Sequence, residues 1–179
     1  MKAYEIVACL NQLFSEFDKL AEDVGVEKIK TIGDNYMAVA GVPTPRPNHA
    51  RMAAKFALDT IAATGRLRSR LPVPFAIRVG LHSGPVMAGV IGTRKFAYDV
   101  WGDTVNIAAR MEAASEPNHV LASAATVKAL GTEYIFDGPR KIDTKEGRAL
   151  EAFFVSRQPD EASHLPVTKT NQPRAEMIE

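Results

Sequence analysis

The sequence predicts an α+β domain in which helices alternate with the strands of a mixed or antiparallel sheet. Apolar residues recur at helical spacing over about 2–23 and 49–70, whereas 75–81 alternates as a half-buried strand does. Gly33 and Asp34 stand between two strand-like runs, which is typical of a two-residue hairpin turn. Because hairpins join antiparallel neighbours, their presence beside helices favours this fold class.

The elements follow one another along the chain without an internal repeat. Gly25 ends the first helix, and Asn48 is placed to cap the second. The later segments are expected to be a return strand at 86–90, a loop at 98–103, a helix at 104–114, a strand at 120–122, a helix at 123–130 and strands at 134–136 and 150–155.

Composition and charge describe a globular domain and exclude several classes of protein. The chain has 179 residues, and its 22 Lys and Arg face 21 Asp and Glu for a net charge of +1. This balance argues against a nucleic-acid-binding or anionic membrane surface, which needs clustered basic charge. We expect no membrane segment, because no apolar run reaches the ~20 residues that a span needs.

The length and the cysteine content also indicate the number of domains and the cellular compartment. The length is sufficient for one domain with its own core, which we expect at 1–157. Polar residues and prolines dominate 158–179, so we expect a flexible tail there. A single cysteine, Cys9, excludes an internal disulfide framework, and no signal peptide is evident. We therefore expect a cytoplasmic location.

Two residues of the first hairpin are candidates for chemistry. Asp34 lies at its tip, where a carboxylate can face solvent and bind a hard cation such as Mg²⁺. Turn chemistry alone also explains an aspartate at this position. Lys30 lies in the preceding strand, with Ile29 and Thr31 pointing to the opposite face, and a solvated strand lysine is the alternative.

A second cluster surrounds the helix predicted at 104–114. Asn106 and Arg110 are four residues apart and therefore share one helix face, and Asp99 lies shortly before the helix. An amide, a guanidinium and a carboxylate could converge there on a phosphate-bearing ligand, since Arg suits charge that is spread over phosphate oxygens. A surface helix with an internal Asn–Arg contact explains the same pattern.

Other motifs are weaker or absent. Lys145 lies in a basic turn and could bind phosphate, although a solvated turn is the alternative. The four histidines show no metal-ligand spacing, and the sequence has neither a Walker A loop nor a dinucleotide glycine fingerprint.

Three segments together resemble the class III nucleotide cyclases, the adenylyl and guanylyl cyclase catalytic domain. They are Glu27–Met37, Arg78–Val86 and Asp99–Met111, and the similarity spans about 6–155. The resemblance implies a ferredoxin-like βαββαβ core and a head-to-tail homodimer with active sites at the subunit interface. It further implies conversion of ATP to 3′,5′-cyclic AMP and pyrophosphate, assisted by two divalent cations, Mg²⁺ or Mn²⁺.

The resemblance also implies a role for each residue that matches the family pattern. Lys30 and Asp99 match the pair that reads the base, and a lysine donor beside a carboxylate acceptor complements adenine. Guanylyl members usually carry Glu where Lys30 stands, so ATP is expected. Asn106 matches the residue that orients the ribose, and Arg110 the one that stabilises charge at the α-phosphate.

The remaining matches concern metal and phosphate. Asp34 matches a metal-binding carboxylate, and Lys145 matches a lysine that contacts the terminal phosphates. In the family the metal carboxylates come from one subunit, while the base, ribose and transition-state residues come from the other. Lys30 and Asp34 would therefore serve different active sites although they share one hairpin.

The sequence departs from the family pattern at its start. The family carries a strand with another metal-binding Asp before the first helix, and this sequence begins inside that helix. We expect an N-terminally incomplete domain with exposed strand edges and weak catalysis. A non-catalytic nucleotide-binding or dimerisation module is therefore the second hypothesis, and a guanylyl cyclase is the third.

Overall fold

The computed structural model describes residues 2–68, 75–92, 94, 96–143 and 149–159. These residues form four helices and eight strands. The helices are α1 (Ala3–Val24), α2 (His49–Leu67), α3 (Asp103–Ala114) and α4 (Ala124–Leu130). The strands are β1 (Glu27–Ile32), β2 (Asn35–Val39), β3 (Val79–Leu81), β4 (Met87–Ile91), β5 (Ala97–Trp101), β6 (Val120–Ser123), β7 (Tyr134–Asp143) and β8 (Ala149–Arg157).

The strands form one mixed sheet and two hairpins. The four-stranded sheet has the order β3-β6-β8-β7, with β3 and β6 parallel and the other pairs antiparallel. The hairpins are β1-β2 and β4-β5. The predicted α+β class is confirmed. The predicted loop at 98–103 was wrong, because residues 97–101 pair with β4 as a strand.

The two faces of the mixed sheet bury different helices. Val120 and Ala122 of β6 pack against Ala54 and Ala57 of α2 on one face. The neighbouring β6 residue, Leu121, points the other way and joins a cluster with residues of α3 and β8. This alternation is the period-2 pattern that a strand buried on both faces requires. It places α3 on the opposite side of the sheet from α2.

An aromatic cluster joins α1 and α2 to the first hairpin. The ring of Tyr36 lies 5.5 Å from Phe14, 5.6 Å from Phe17 and 6.1 Å from Phe56, measured between centroids. The Tyr36 hydroxyl also donates a 2.8 Å hydrogen bond to Asp18. Burial and this carboxylate raise the pKa of Tyr36, so the hydroxyl remains a donor throughout the usual pH range.

A large cavity lies between the β1-β2 hairpin and the mixed sheet. Its volume is about 1050 Å³, and its lining includes consecutive residues of β2 and the run 75–84 that contains β3. Consecutive lining residues mean that strand edges border the cavity. Within the described ranges, no strand pairs with both β2 and β3 across it.

Two further sequence predictions concern residues that the structure does not describe. Lys145 and residues 160–179 of the expected tail lie outside the described ranges. In the part of the chain that the structure describes, no helix is both long and apolar enough to cross a lipid bilayer.

His82 links the end of β3 to the start of α4. Its Nδ1 lies 2.7 Å from the hydroxyl oxygen of buried Ser123, which accepts a hydrogen bond from the Thr126 N–H at the first turn of α4. Burial lowers the pKa of His82 below its ordinary 6.5, because the charged imidazolium loses hydration.

This lowered pKa predicts an acid-sensitive fold. The unfolded chain binds a proton at His82 more readily than the folded one, so this contribution to stability is complete above about pH 6.5. It is lost as the pH falls through the lower folded-state value. We expect the free energy of unfolding in urea to decrease from pH 7 to pH 5, and His82→Asn to flatten that decrease. An unchanged pH slope in the variant would contradict the assignment.

Candidate active site

Two of the residues singled out from the sequence form an ion pair between separate hairpins. Lys30 of β1 donates to Asp99 of β5, with Nζ and Oδ2 2.5 Å apart. The residues are 69 positions apart in the chain, so only the tertiary fold brings them together. Their side chains keep 41% and 19% of their surface exposed, respectively. An ammonium donor and a carboxylate acceptor therefore lie side by side within reach of a ligand.

Backbone geometry fixes both members of this pair. The register of β1 against β2 shifts between Lys28 and Lys30, which marks a β-bulge at Ile29. Bulges change the direction in which a side chain leaves its strand, and this one occurs directly before Lys30. On the other hairpin, the Val100 N–H donates a 2.9 Å hydrogen bond to Asp99 Oδ1.

These contacts determine the charge of Asp99. The hydrogen bond from Lys30, followed by that from the Val100 N–H, holds the pKa of the Asp99 carboxyl below its usual value. Asp99 is therefore ionised at neutral pH and acts only as an acceptor.

Asp99 lies on a strand face that is otherwise apolar. In the β4-β5 register it is opposite Gly89, between the pairs Met87–Trp101 and Ile91–Ala97. Directly opposed residues share one face of an antiparallel pair, so these side chains surround the carboxylate. Met87 is 74% exposed and Ile91 60% exposed. We call this exposed surface (Met87, Ile91, Trp101) the β4-β5 face.

Helix α3 presents the second predicted group. Asn106 is exposed and Arg110 is half-buried, and both lie on the helix side that is turned away from the mixed sheet. The side facing the sheet carries Met111, which is fully buried, and Ile107. The strand that holds Asp99 leads into α3 through Gly102, whose positive φ of 134° suits glycine.

Asp34 lies where the sequence predicted it, in the turn between β1 and β2. It is exposed and borders the large cavity. Among the described residues, no three potential metal ligands of the His, Cys, Asp and Glu types lie together. Mg²⁺ nevertheless often binds proteins through one or two carboxylates, with water and substrate phosphates as the other ligands. A single accessible carboxylate such as Asp34 fits that mode.

The sequence did not reveal the backbone features that position Lys30 and Asp99. The bulge at Ile29 and the Val100 N–H depend on strand register, which no local pattern reveals. The structure brings Lys30 and Asp99 together and places Asn106 and Arg110 on one helix face. It leaves Lys145 outside the described residues.

The mixed sheet, the two hairpins and this polar group on β1, β5 and α3 define a nucleotide-cyclase type of catalytic domain. The sequence model of the adenylate and guanylate cyclase catalytic domain family matches residues 1–157, and the chain belongs to that family. The resemblance noted from the three sequence segments is thereby confirmed, as is the expected class III cyclase fold.

Similar proteins include cyclases of both nucleotide types. An adenylate cyclase of Mycobacterium tuberculosis is 39% identical over 151 residues, which are 84% of this chain and 34% of that protein. The human guanylate cyclase soluble subunit beta-2 is 45% identical over 155 residues, which are 84% of this chain and 25% of that protein. The chain thus spans about a third of the length of the first and a quarter of the second.

A solved structure shows the same fold. It is the catalytic core of a rhodopsin-guanylyl cyclase with converted specificity in complex with ATPαS, with a TM-score of 0.83 and 35% identity. The match covers 88% of this chain and 86% of that one.

Proposed function

We propose that this domain is an adenylate cyclase that forms 3′,5′-cyclic AMP and pyrophosphate from ATP for signal transduction. The observation that carries the proposal is the ion pair between Lys30 and Asp99, with its 2.5 Å separation. It unites a donor and an acceptor in a chain that belongs to the nucleotide cyclase family. A domain of this fold holds an adenine nucleotide analogue in the converted rhodopsin-guanylyl cyclase.

The pair complements the edge of adenine. The ring nitrogen N1 accepts a hydrogen bond and the exocyclic amine donates one, so Lys30 serves N1 and ionised Asp99 serves the amine. Guanine presents a donor at N1 and an acceptor at O6, which places donor against donor and acceptor against acceptor. A polar mismatch of this kind leaves donors and acceptors unpaired and therefore discriminates between substrates.

The residues of α3 act on the sugar and the reacting phosphate. Asn106 orients the ribose so that its 3′-hydroxyl faces the α-phosphorus, which raises the rate by alignment. Arg110 supplies a fixed, permanently charged fork that stabilises charge as it builds on the α-phosphate oxygens. Lys145 binds the terminal phosphates that leave as pyrophosphate.

Asp34 is the protein ligand for divalent cations, Mg²⁺ or Mn²⁺, of which two are expected from the family. When bound, such cations neutralise phosphate charge and favour ionisation of the 3′-hydroxyl. The carboxylate itself fixes the position of this charge at the tip of the β1-β2 hairpin, away from the base-binding lysine.

A head-to-tail homodimer completes the site. Lys30 lies within strand β1 and Asp34 in the turn beyond its end, and we assign them to different active sites. The β4-β5 face supports this arrangement, because contiguous exposed apolar surface beside a polar site is typical of an interface. One subunit then provides Lys30, Asp99, Asn106 and Arg110, and its partner provides Asp34.

A guanylate cyclase is the second candidate, favoured by the 45% identity to the human guanylate cyclase subunit. The purified 179-residue chain should be assayed with ATP and with GTP, each with Mg²⁺ and Mn²⁺. We expect cyclic AMP and a preference for ATP of at least tenfold in kcat/KM, on the order of one mismatched polar contact. A tenfold preference for GTP would support the second candidate, and ATP binding without a cyclic product would support a non-catalytic module.

The base assignment predicts a change of substrate preference. Lys30→Glu with Asp99→Asn presents an acceptor to guanine N1–H and a donor to O6, with nearly the same side-chain reach at position 99. We expect the ratio of kcat/KM for ATP to that for GTP to fall by about 100-fold, through loss of two matched hydrogen bonds. Lys28→Glu, on the same strand, is the matched control and should leave this ratio unchanged. An unaltered ratio in the double variant would refute base reading by this pair.

A further inference from the structure

Helix α3 lies directly against the backbone of β3 at Gly80. A Cβ atom at this position would be 2.1 Å from the Glu112 nitrogen and 2.4 Å from the Ala108 oxygen, both of them backbone atoms of α3. Real side chains do not tolerate such distances, and a helix backbone cannot rotate away as a side chain can. Gly80 does not have a left-handed backbone conformation, so close approach alone requires glycine here.

A second close contact lies near the start of the same helix. A Cβ atom at Gly84 would be 2.6 Å from the Thr104 hydroxyl oxygen. That hydroxyl donates a 2.6 Å hydrogen bond to the carbonyl of Pro85. At the other end, Arg78 donates to Glu112 with a 3.0 Å Nε–Oε1 distance. The segment 78–85 therefore contacts α3 along two turns.

The contacted side of α3 is opposite to the side with the proposed function. Thr104, Ala108 and Glu112 follow one another at four-residue spacing and form one stripe. Asn106 and Arg110 form a parallel stripe two residues away, which is about half a turn around the helix. The contacts at Gly80 and Gly84 thus lie on the side of α3 opposite to Asn106 and Arg110.

We infer that Gly80 and Gly84 are positioning residues that hold Asn106 and Arg110 at the depth required for attack on the α-phosphate. The inference rests on the proposed cyclase reaction and adds two residues that touch neither base nor phosphate. A side chain at Gly80 pushes α3 outward by roughly 1 Å before its atoms reach ordinary contact distance. Lys30 and Asp99 lie on β1 and β5, so base binding persists.

The inference predicts a specific kinetic defect for Gly80→Ala. Misplacement of catalytic groups by 1 Å costs on the order of 100-fold in rate, so we expect kcat to fall about 100-fold. We expect KM for ATP to change less than about threefold, because the variant affects turnover and not substrate binding. The affinity for 3′-deoxy-ATP, which lacks the attacking hydroxyl and therefore reports binding alone, should also change less than about threefold. Gly65→Ala is the matched control, because a Cβ at Gly65 in α2 meets nothing within 4 Å.

Gly84→Ala is a milder variant, which keeps the inference testable if Gly80→Ala does not fold. Its clash involves a side chain, so removing that side chain should relieve it. We expect Gly84→Ala to lower kcat and the double variant with Thr104→Ala to recover most of the loss. Thr104→Ala alone measures the effect of losing the bond to Pro85. A double variant no better than Gly84→Ala would overturn the role of Gly84.

A crystal structure of the folded glycine variant gives a readout that is independent of activity. An outward shift of α3 with nucleotide binding retained and kcat reduced supports the inference. An unmoved helix, an unchanged kcat, or equal loss of kcat and nucleotide binding overturns it. Failure of the wild-type chain to cyclise either nucleotide would instead refute the proposed function, while the position of α3 in the variant still tests the contact.

Discussion

A mixture of Lys30→Ala and Asp34→Ala chains should cyclise ATP although each chain alone is nearly inactive. In a head-to-tail dimer, each site takes its base-reading residues from one subunit and its metal carboxylate from the other. A mixed dimer contains one site with both defects and one site with none. Random pairing gives half mixed dimers, each with one intact site of two, so about a quarter of wild-type activity is expected.

The control for this experiment combines two defects from the same half of the site. Lys30→Ala and Asp99→Ala both damage base recognition, so every site in their mixed dimer carries one lesion. We expect no recovery from that mixture. Exchange of subunits should be verified by mass spectrometry with chains of different tag length. Absence of recovery in the first mixture, once mixed dimers are shown to form, would refute the shared site.

Arg110→Ala should reduce kcat on the order of 10²–10³-fold, because removal of one preorganised donor from a developing oxyanion has this effect in enzymes. KM for ATP should stay within about threefold, since an interaction made only in the transition state lowers kcat without weakening ground-state binding. Arg110→Lys retains the charge but not the planar fork, so we expect partial recovery only. The kcat and KM of the wild type, Arg110→Ala and Arg110→Lys should be measured by steady-state kinetics with saturating Mn²⁺.

Arg140→Ala is the matched control for the loss of an arginine. Arg140 lies on β7, at the opposite edge of the mixed sheet from β3, and pairs with Asp137. Its removal should leave kcat unchanged, and urea unfolding of both variants should show that they are folded. A rise in KM with kcat unchanged in Arg110→Ala would assign that residue to substrate binding instead.

Local sequence patterns were sufficient to predict the helices and strands in which the apolar periodicity is uninterrupted. The helix predicted at 104–114 corresponds to α3, and the one predicted at 123–130 corresponds to α4, which Ser123 caps through the Thr126 N–H. Strand β5 was missed because Asp99 interrupts its apolar alternation. Pairing with β4 determines this strand, and such pairing is not visible in the residue pattern of 97–101 alone.

The candidate active site could be predicted only in part from the sequence. The three sequence segments indicated Lys30 and Asp99 as a pair, and the fold places them in contact. The bulge that precedes Lys30 could not be predicted, because the register of β1 depends on its partner strand. The close approach at Gly80 was equally hidden, since a glycine in a strand has several physical causes.

The β1-β2 hairpin carries Lys30 within one strand and Asp34 in its turn, and Lys28 and Tyr36 both bond to Asp18 of α1. In the proposed head-to-tail dimer, this one hairpin would supply Lys30 to one active site and Asp34 to the other. A tilt of the hairpin would then displace a base-binding residue in one site and a metal ligand in the other. Because Asp18 bonds α1 to this hairpin, a displacement of α1 would be transmitted to both sites of such a dimer.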